Sequence, residues 1–466
     1  MKKRLALLFF FILFLLACHT YKDLPYSNEK LPFQVMTIPA SPQQVGGDPK
    51  AGFDYLINGD YIGSGIPYTV FQKRLSKGPD TVLRREGINA NVPYAVTAFV
   101  APNGVKVVNG NCFTCHASPF EGEIVFGLGN SFSDYRKSLV TVAKLMNMGM
   151  RLKYKKSSEK FQAYQDFGNY FKAMAPHIKT NQAGANPAFR LAEACMMQRN
   201  PVDLTYVEAP IYEINKYPIA TDVPALWNVK KKNALYYNGI GRGDFTKLLF
   251  QASVLGIPDS SAARKAVTHF KDVLAWLQTL EAPAYPKPID QLLADKGKML
   301  FESACSKCHG TYGEKDQYPN KLVALEEVKT DPLYAHYAYT SGIVEWYNSS
   351  WFAHSAPRSY FEPTLGYVAP PLDGVWATAP YFHNGSVPTL MDVLNSKSRP
   401  TYWSRNGEQS AYDYENVGWQ YEIKDNKKGK WTFDSKLPGF SNKGHDFGDA
   451  FTNAERKALI EYLKTL

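Results

Sequence analysis

Cys112-Phe113-Thr114-Cys115-His116 recurs in type as Cys305-Ser306-Lys307-Cys308-His309, and each is a C-x-x-C-H run, the spacing that attaches a c-type haem. Two thiols one helical turn apart can each add to a haem vinyl group, and the adjoining imidazole then lies under the iron. The spacing predicts two covalently bound haem c groups, on Cys112 and Cys115 and on Cys305 and Cys308, with His116 and His309 as iron ligands. The chain has only 6 Cys and 9 His, so one such run by accident is roughly a one-in-a-thousand event. A zinc site uniting the four cysteines would leave the two histidines unexplained. A thioredoxin-type dithiol needs a βαβ surrounding that neither run has.

Outward from these runs, the N-terminus speaks for a compartment. Lys2, Lys3 and Arg4 precede an apolar run from Leu5 to Ala17, too short to span a bilayer and right for a signal peptide. Leu15-Leu16-Ala17-Cys18 looks like a bacterial lipobox, which makes Cys18 the lipidated N-terminus of a protein on the periplasmic side of a membrane, with the outer membrane or cell surface as variants of that placement. Residues 1–17 are then a leader and 18–50 an aperiodic tether. Of the remaining cysteines, four go to haem and Cys195 stands alone in a helix-forming stretch, as a buried inert thiol.

The 466 residues, 45% hydrophobic, suffice for two or three domains. The formal charge of +10 suits an acidic redox partner or an anionic lipid surface. Nucleic acid is disfavoured, since no dense basic run appears beyond Lys230 to Lys232. Periodicity predicts helices at Tyr135 to Leu152, Glu159 to Met174, Ala188 to Gln198, Thr268 to Leu280 and Asp290 to Ala304, and Thr452 with Glu455 forms a capping box that opens a last helix. Pro283, Pro286 and Pro288 separate an N-terminal domain, 51–285, from a C-terminal one, 286–466. The fold expected is mainly α: two cytochrome c-like haem domains with long loops and few short strands. A repeat supports duplication, because Pro224-Ala225-Leu226 through Tyr236-Tyr237-Asn238-Gly239 aligns without gaps with Pro370-Pro371-Leu372 through Phe382-His383-Asn384-Gly385.

From about Asn111 onward, and above all over Ala379-Pro380-Tyr381-Phe382-His383-Asn384-Gly385, the chain resembles the bacterial dihaem cytochrome c peroxidase superfamily. Ser441-Asn442-Lys443-Gly444-His445-Asp446-Phe447-Gly448 and the closing Glu461 to Leu466 look nearest its rubber-oxygenase-like branch. The resemblance implies that His445 is the distal ligand of the second haem, with Met391 and His383 as rivals. It further implies an open first haem, because no His lies between His116 and His177, although Met146, Met148 or Met150 would be able to close it. Tyr237 stands where the peroxidases carry a Trp, and Gln251 in Leu248 to Ala252 resembles their active-site Gln. Their following acid is replaced by Ser261 or displaced to Asp259. The activity implied is that of an extracytoplasmic haem-dependent oxidoreductase, peroxidase- or oxygenase-like, in which the first haem takes peroxide or dioxygen and the second passes electrons from a redox protein or small donor. The alternative is a non-catalytic dihaem electron carrier.

Overall fold

Helices hold more of the chain than strands, and the longer ones begin where the sequence places their caps. The computed structural model describes residues 34–466 except 77, 79, 215–218, 220 and 408–410, so Cys18 and the leader lie outside the described residues. Nine described helices reach eight residues: α1 (Pro49–Asn58), α2 (Val140–Lys153), α3 (Glu159–Met174), α4 (Ala188–Met196), α5 (Ser260–Val267), α6 (Phe270–Thr279), α7 (Gln291–Ala304), α8 (Leu333–Thr340) and α9 (Asn453–Leu463). The predicted helix over Tyr135 to Leu152 starts five residues late, because Ser133 to Leu139 is spent on a turn in which Asp134 holds Arg136. The capping box at Thr452 and Glu455 forms in both directions.

Two close crossings fix the helical frame. Gly297 on α7 faces α9 so tightly that a Cβ there would stand 1.9 Å from the Ala458 carbonyl oxygen, and Gly52 on α1 faces Asp272 of α6 at 2.0 Å. Only a missing side chain permits such backbone approach. Phe301 and Leu459, both buried, seal the first crossing within an apolar cluster that includes Trp227, Trp376 and Trp419. That crossing aims the end of α7 at Cys305.

Strand content exceeds the few strands expected, since six small sheets are present among the described residues. The strands that frame the site are β1 (Val35–Thr37), β2 (Ile66–Pro67), β3 (Val96–Val100), β4 (Lys106–Gly110), β5 (Ala117–Phe120), β6 (Glu123–Phe126), β7 (Gly241–Gly243), β8 (Lys321–Ala324), β9 (Ser359–Phe361) and β10 (Gly366–Val368). β4 lies between β2 and β3, and β5 pairs with β6. β1 pairs antiparallel with β8, Val35 opposite Val323, in a sheet ordered β1-β8-β10. Part of the stretch read as tether therefore belongs to the fold. β7 pairs with β9, Arg242 opposite Tyr360, so strands from the two repeat-bearing halves share a sheet. Residues 31–466 form one compact unit. Distinct cytochrome c-like domains, each closed around its own pocket, are not what these pairings describe, and that part of the expected fold is corrected. No described helix is long and apolar enough to cross a membrane.

Candidate functional site

The internal repeat is a structural one. Leu235 and Gly241 bridge each other as Tyr381 and Val387 do, and Gly239 N–H donates to Tyr236 O at 3.0 Å as Gly385 N–H does to Phe382 O at 3.1 Å. Tyr236 and Phe382 both take positive φ, 69° and 68°. Each repeat also begins at a proline carbonyl directed at the histidine of its own C-x-x-C-H run. His309 Nδ1 lies 2.9 Å from the Pro370 oxygen. The Pro224 carbonyl acts on His116 in the same sense, although His116 Nδ1 completes no hydrogen bond of good geometry.

The second run is entered from α7 and is itself a short helix, Ser306–His309. Across from His309 stands His445, with ring centroids 6.1 Å apart and planes at 63°. At that separation the two imidazoles face each other edge to face. His445 is held there by its backbone, at φ 45° beside Gly444 at φ 78°. Its N–H donates to Val328 O at 2.7 Å. Arg399 gathers the loop by donating to the carbonyls of Asn442 at 2.8 Å, Gly444 at 2.6 Å and His445 at 3.1 Å. Sequence reasoning missed Arg399, since an arginine in a polar loop carries no signal until its carbonyl partners are known.

The first run is built differently. It follows β4 as a single 3-10 turn capped by Asn111 and precedes the β5–β6 hairpin. Phe113 is fully buried against Phe126, Trp276 and Phe53, which pins the run to α1 and α6. Tyr61 Oη donates to Cys112 Sγ at 3.7 Å, and Asn186 Nδ2 to Cys115 Sγ at 3.2 Å. Both partners also escaped the sequence reading, being 51 and 71 residues distant.

Burial governs the electrostatics. Desolvation pushes the Cys112 and Cys305 thiols up to about 11, helped in each by the second cysteine of its run, and raises Cys115 and Cys308 too. All four stay protonated at neutral pH. Desolvation lowers His116 to about 4 and His445 to about 3, lowers His309, and takes His383 to about 3. The first three are half-buried, whereas His383 is sealed, so His383 has the firmest claim to a depressed value. It stacks on Tyr367 at 4.2 Å and has Tyr237 at 6.3 Å. His383 is also 6.3 Å from Tyr334, ring over ring. Nδ1 of His116, Nε2 of His383 and Nδ1 of His445 are buried without a hydrogen-bond partner.

The remaining candidates serve packing or capping, and Cys195 is the buried thiol expected. Met150 is buried against Phe161 and Tyr164, Met146 packs on Phe167, and Met148 faces solvent, so that helix is spent on packing. Asp259 caps α5 by accepting from Ser261 N and Ala262 N, which commits it to a helix end. Met391 packs on the core around Leu390 and Leu394. Gln251 is buried with Oε1 unpartnered, and Cys195 is sealed, its thiol raised to about 12 by burial.

The largest correction concerns the cofactor. Among the described residues no group of three or more His, Cys, Asp and Glu side chains comes together that could hold a metal ion. The five described cysteines are free, and burial holds those of the two runs as thiols rather than as the thiolates a zinc ion takes. The two covalently bound haem c groups are therefore withdrawn. The haem-dependent oxidoreductase built on them goes with them, in its peroxidase-like, oxygenase-like and electron-carrier forms. The four-cysteine zinc site fails on the same finding.

Comparison with known proteins gives a short match and two partial relatives. Residues 366–404 match the model of the RoxA-like, cytochrome c-like family, a stretch that includes Pro370, His383 and Arg399. The chain is 27% identical over 298 residues to "Uncharacterized protein y4iM" of Sinorhizobium fredii, covering 54% of this chain and 66% of that one. It is 29% identical over 253 residues to "Uncharacterized protein y4iJ" of the same organism, covering 40% and 41%. The chain thus spans less than two thirds of either relative.

Proposed function

We propose that this chain is an extracytoplasmic binding protein, tethered at Cys18 to the periplasmic side of a bacterial membrane. In this reading the C-terminal half holds a small molecule between His309 and His445, and the N-terminal half holds one beside His116. The observation that carries it is the facing of His309 and His445, neutral imidazoles one of which has an unpartnered buried nitrogen. Buried polar atoms in folded proteins find partners, and the repeated cradle in the N-terminal half, with its own unpartnered His116 nitrogen, asks for the same. Tyr237 and His383 occupy matched positions of the repeat and stand 6.3 Å apart, and no reaction is assigned to them or to Gln251. The likeness over residues 366–404 supports a wider kinship of scaffold, that of the dihaem cytochrome c peroxidase superfamily near its rubber-oxygenase-like branch, with residues 51–285 and 286–466 as diverged copies.

Mass spectrometry of the purified protein under native and then denaturing conditions tests this. The reading expects native mass in excess of polypeptide plus lipid, reduced by His445→Ala and by His116→Ala in separate steps. A native mass equal to polypeptide plus lipid would refute it.

A further inference from the structure

α2 packs on the fold by one face only. Ala143 and Met150 are buried, Met146 and Asn147 lie against α3, and Asn147 Nδ2 donates to Gly168 O at 3.1 Å. The other face is apolar and open: Val142 is 46% exposed, Leu145 57%, Met148 52% and Leu152 81%. At about 100° per residue these four fall within an arc of about 120°. Lys144 and Arg151 border that arc on one side and Lys153 on the other. Between Asp134 and Glu159 the chain carries Arg136, Lys137, Lys144, Arg151, Lys153, Lys155 and Lys156 and no acidic residue. Apart from Arg136, none of these cations enters an ion pair among the described residues.

An apolar stripe bordered by unpaired cations is the pattern of a helix that lies in the plane of a lipid surface. A protein partner would be expected to offer acidic side chains to a few of the cations. Anionic headgroups offer charge to all of them along the whole helix. We propose that the open face of α2 docks on an anionic lipid surface, with Leu145, Met148 and Leu152 set among the upper acyl chains and Lys144, Arg151 and Lys153 beside headgroup phosphates. The inference does not depend on what the C-x-x-C-H cradles hold or on lipidation of Cys18.

Hydrogen exchange of the mature protein, mixed with vesicles of phosphatidylcholine alone or with phosphatidylglycerol, reads the docking. The backbone amides of Val140–Lys153 should exchange about tenfold more slowly on the phosphatidylglycerol vesicles only, with high salt restoring the solution rate. Leu145→Glu with Leu152→Glu, and separately Lys144→Glu with Arg151→Glu, should remove the protection and leave exchange in α7 and α9 unchanged. Equal exchange on both vesicles and in solution overturns the proposal. Protection that instead rises with protein concentration in the absence of vesicles also overturns it, and assigns the face to a second copy of the chain.

Discussion

Gly444 shows how much of the candidate site rests on single residues. At φ 78° it occupies the left-handed region, and a Cβ there would stand 2.2 Å from the Lys329 carbonyl carbon. Gly444→Ala should therefore cost about 2 kcal/mol or more, read as a lower urea midpoint, and should move His445 away from His309. His383 supplies a pH test. Its folded value of about 3 lies below the ordinary 6.5 because the neutral ring is buried, so between those values the unfolded chain binds more protons than the folded one. The contribution is complete above about pH 6.5 and is lost as pH falls toward 3. Urea midpoints measured from pH 7 down to pH 4 should decline, and His383→Gln should flatten the decline. A slope unchanged by the substitution would show that His383 is not its source. The two C-x-x-C-H runs and their histidines were legible because spacing alone singles them out, whereas His445 was implied only by the family resemblance. Arg399, Tyr61 and Asn186 were not legible, since each acts across a distance in sequence that no local pattern records.

At the scale of elements, local chemistry was readable wherever it was self-contained. Ser158 capping α3, Asp290 capping α7 and the Thr452–Glu455 box each satisfy their own helix terminus, so those boundaries follow from neighbouring residues. Thr452→Ala should lower stability by about 1 kcal/mol, and chemical denaturation will read it. Gly297→Ala should cost more, about 3 kcal/mol, because its methyl would meet backbone of α9 rather than a yielding side chain. If both substitutions cost the same, the α7–α9 crossing is not the tight contact described. The small sheets were harder to foresee. β1 is three residues whose partner lies in β8, and a strand that short has no alternation to display, so it passed for tether. β7, Gly241–Gly243, has two glycines in three residues and reads as a turn until β9 is placed beside it.

For the whole molecule, duplication is the organising fact, and divergence between the copies is what the site expresses. Both halves direct a proline carbonyl at the histidine of a C-x-x-C-H run and close the same bridged turn beyond it, yet among the described residues only the second brings up a facing imidazole, and Tyr237 answers His383 at the matched position. The space between His309 and His445 is thus proposed as a binding place for a group the polypeptide does not itself provide. An experimental density map of the purified protein tests this most directly. Continuous non-polypeptide density between the two imidazoles is the expected result. A gap filled only by ordered water, or closed by direct contact of the two rings, would contradict it.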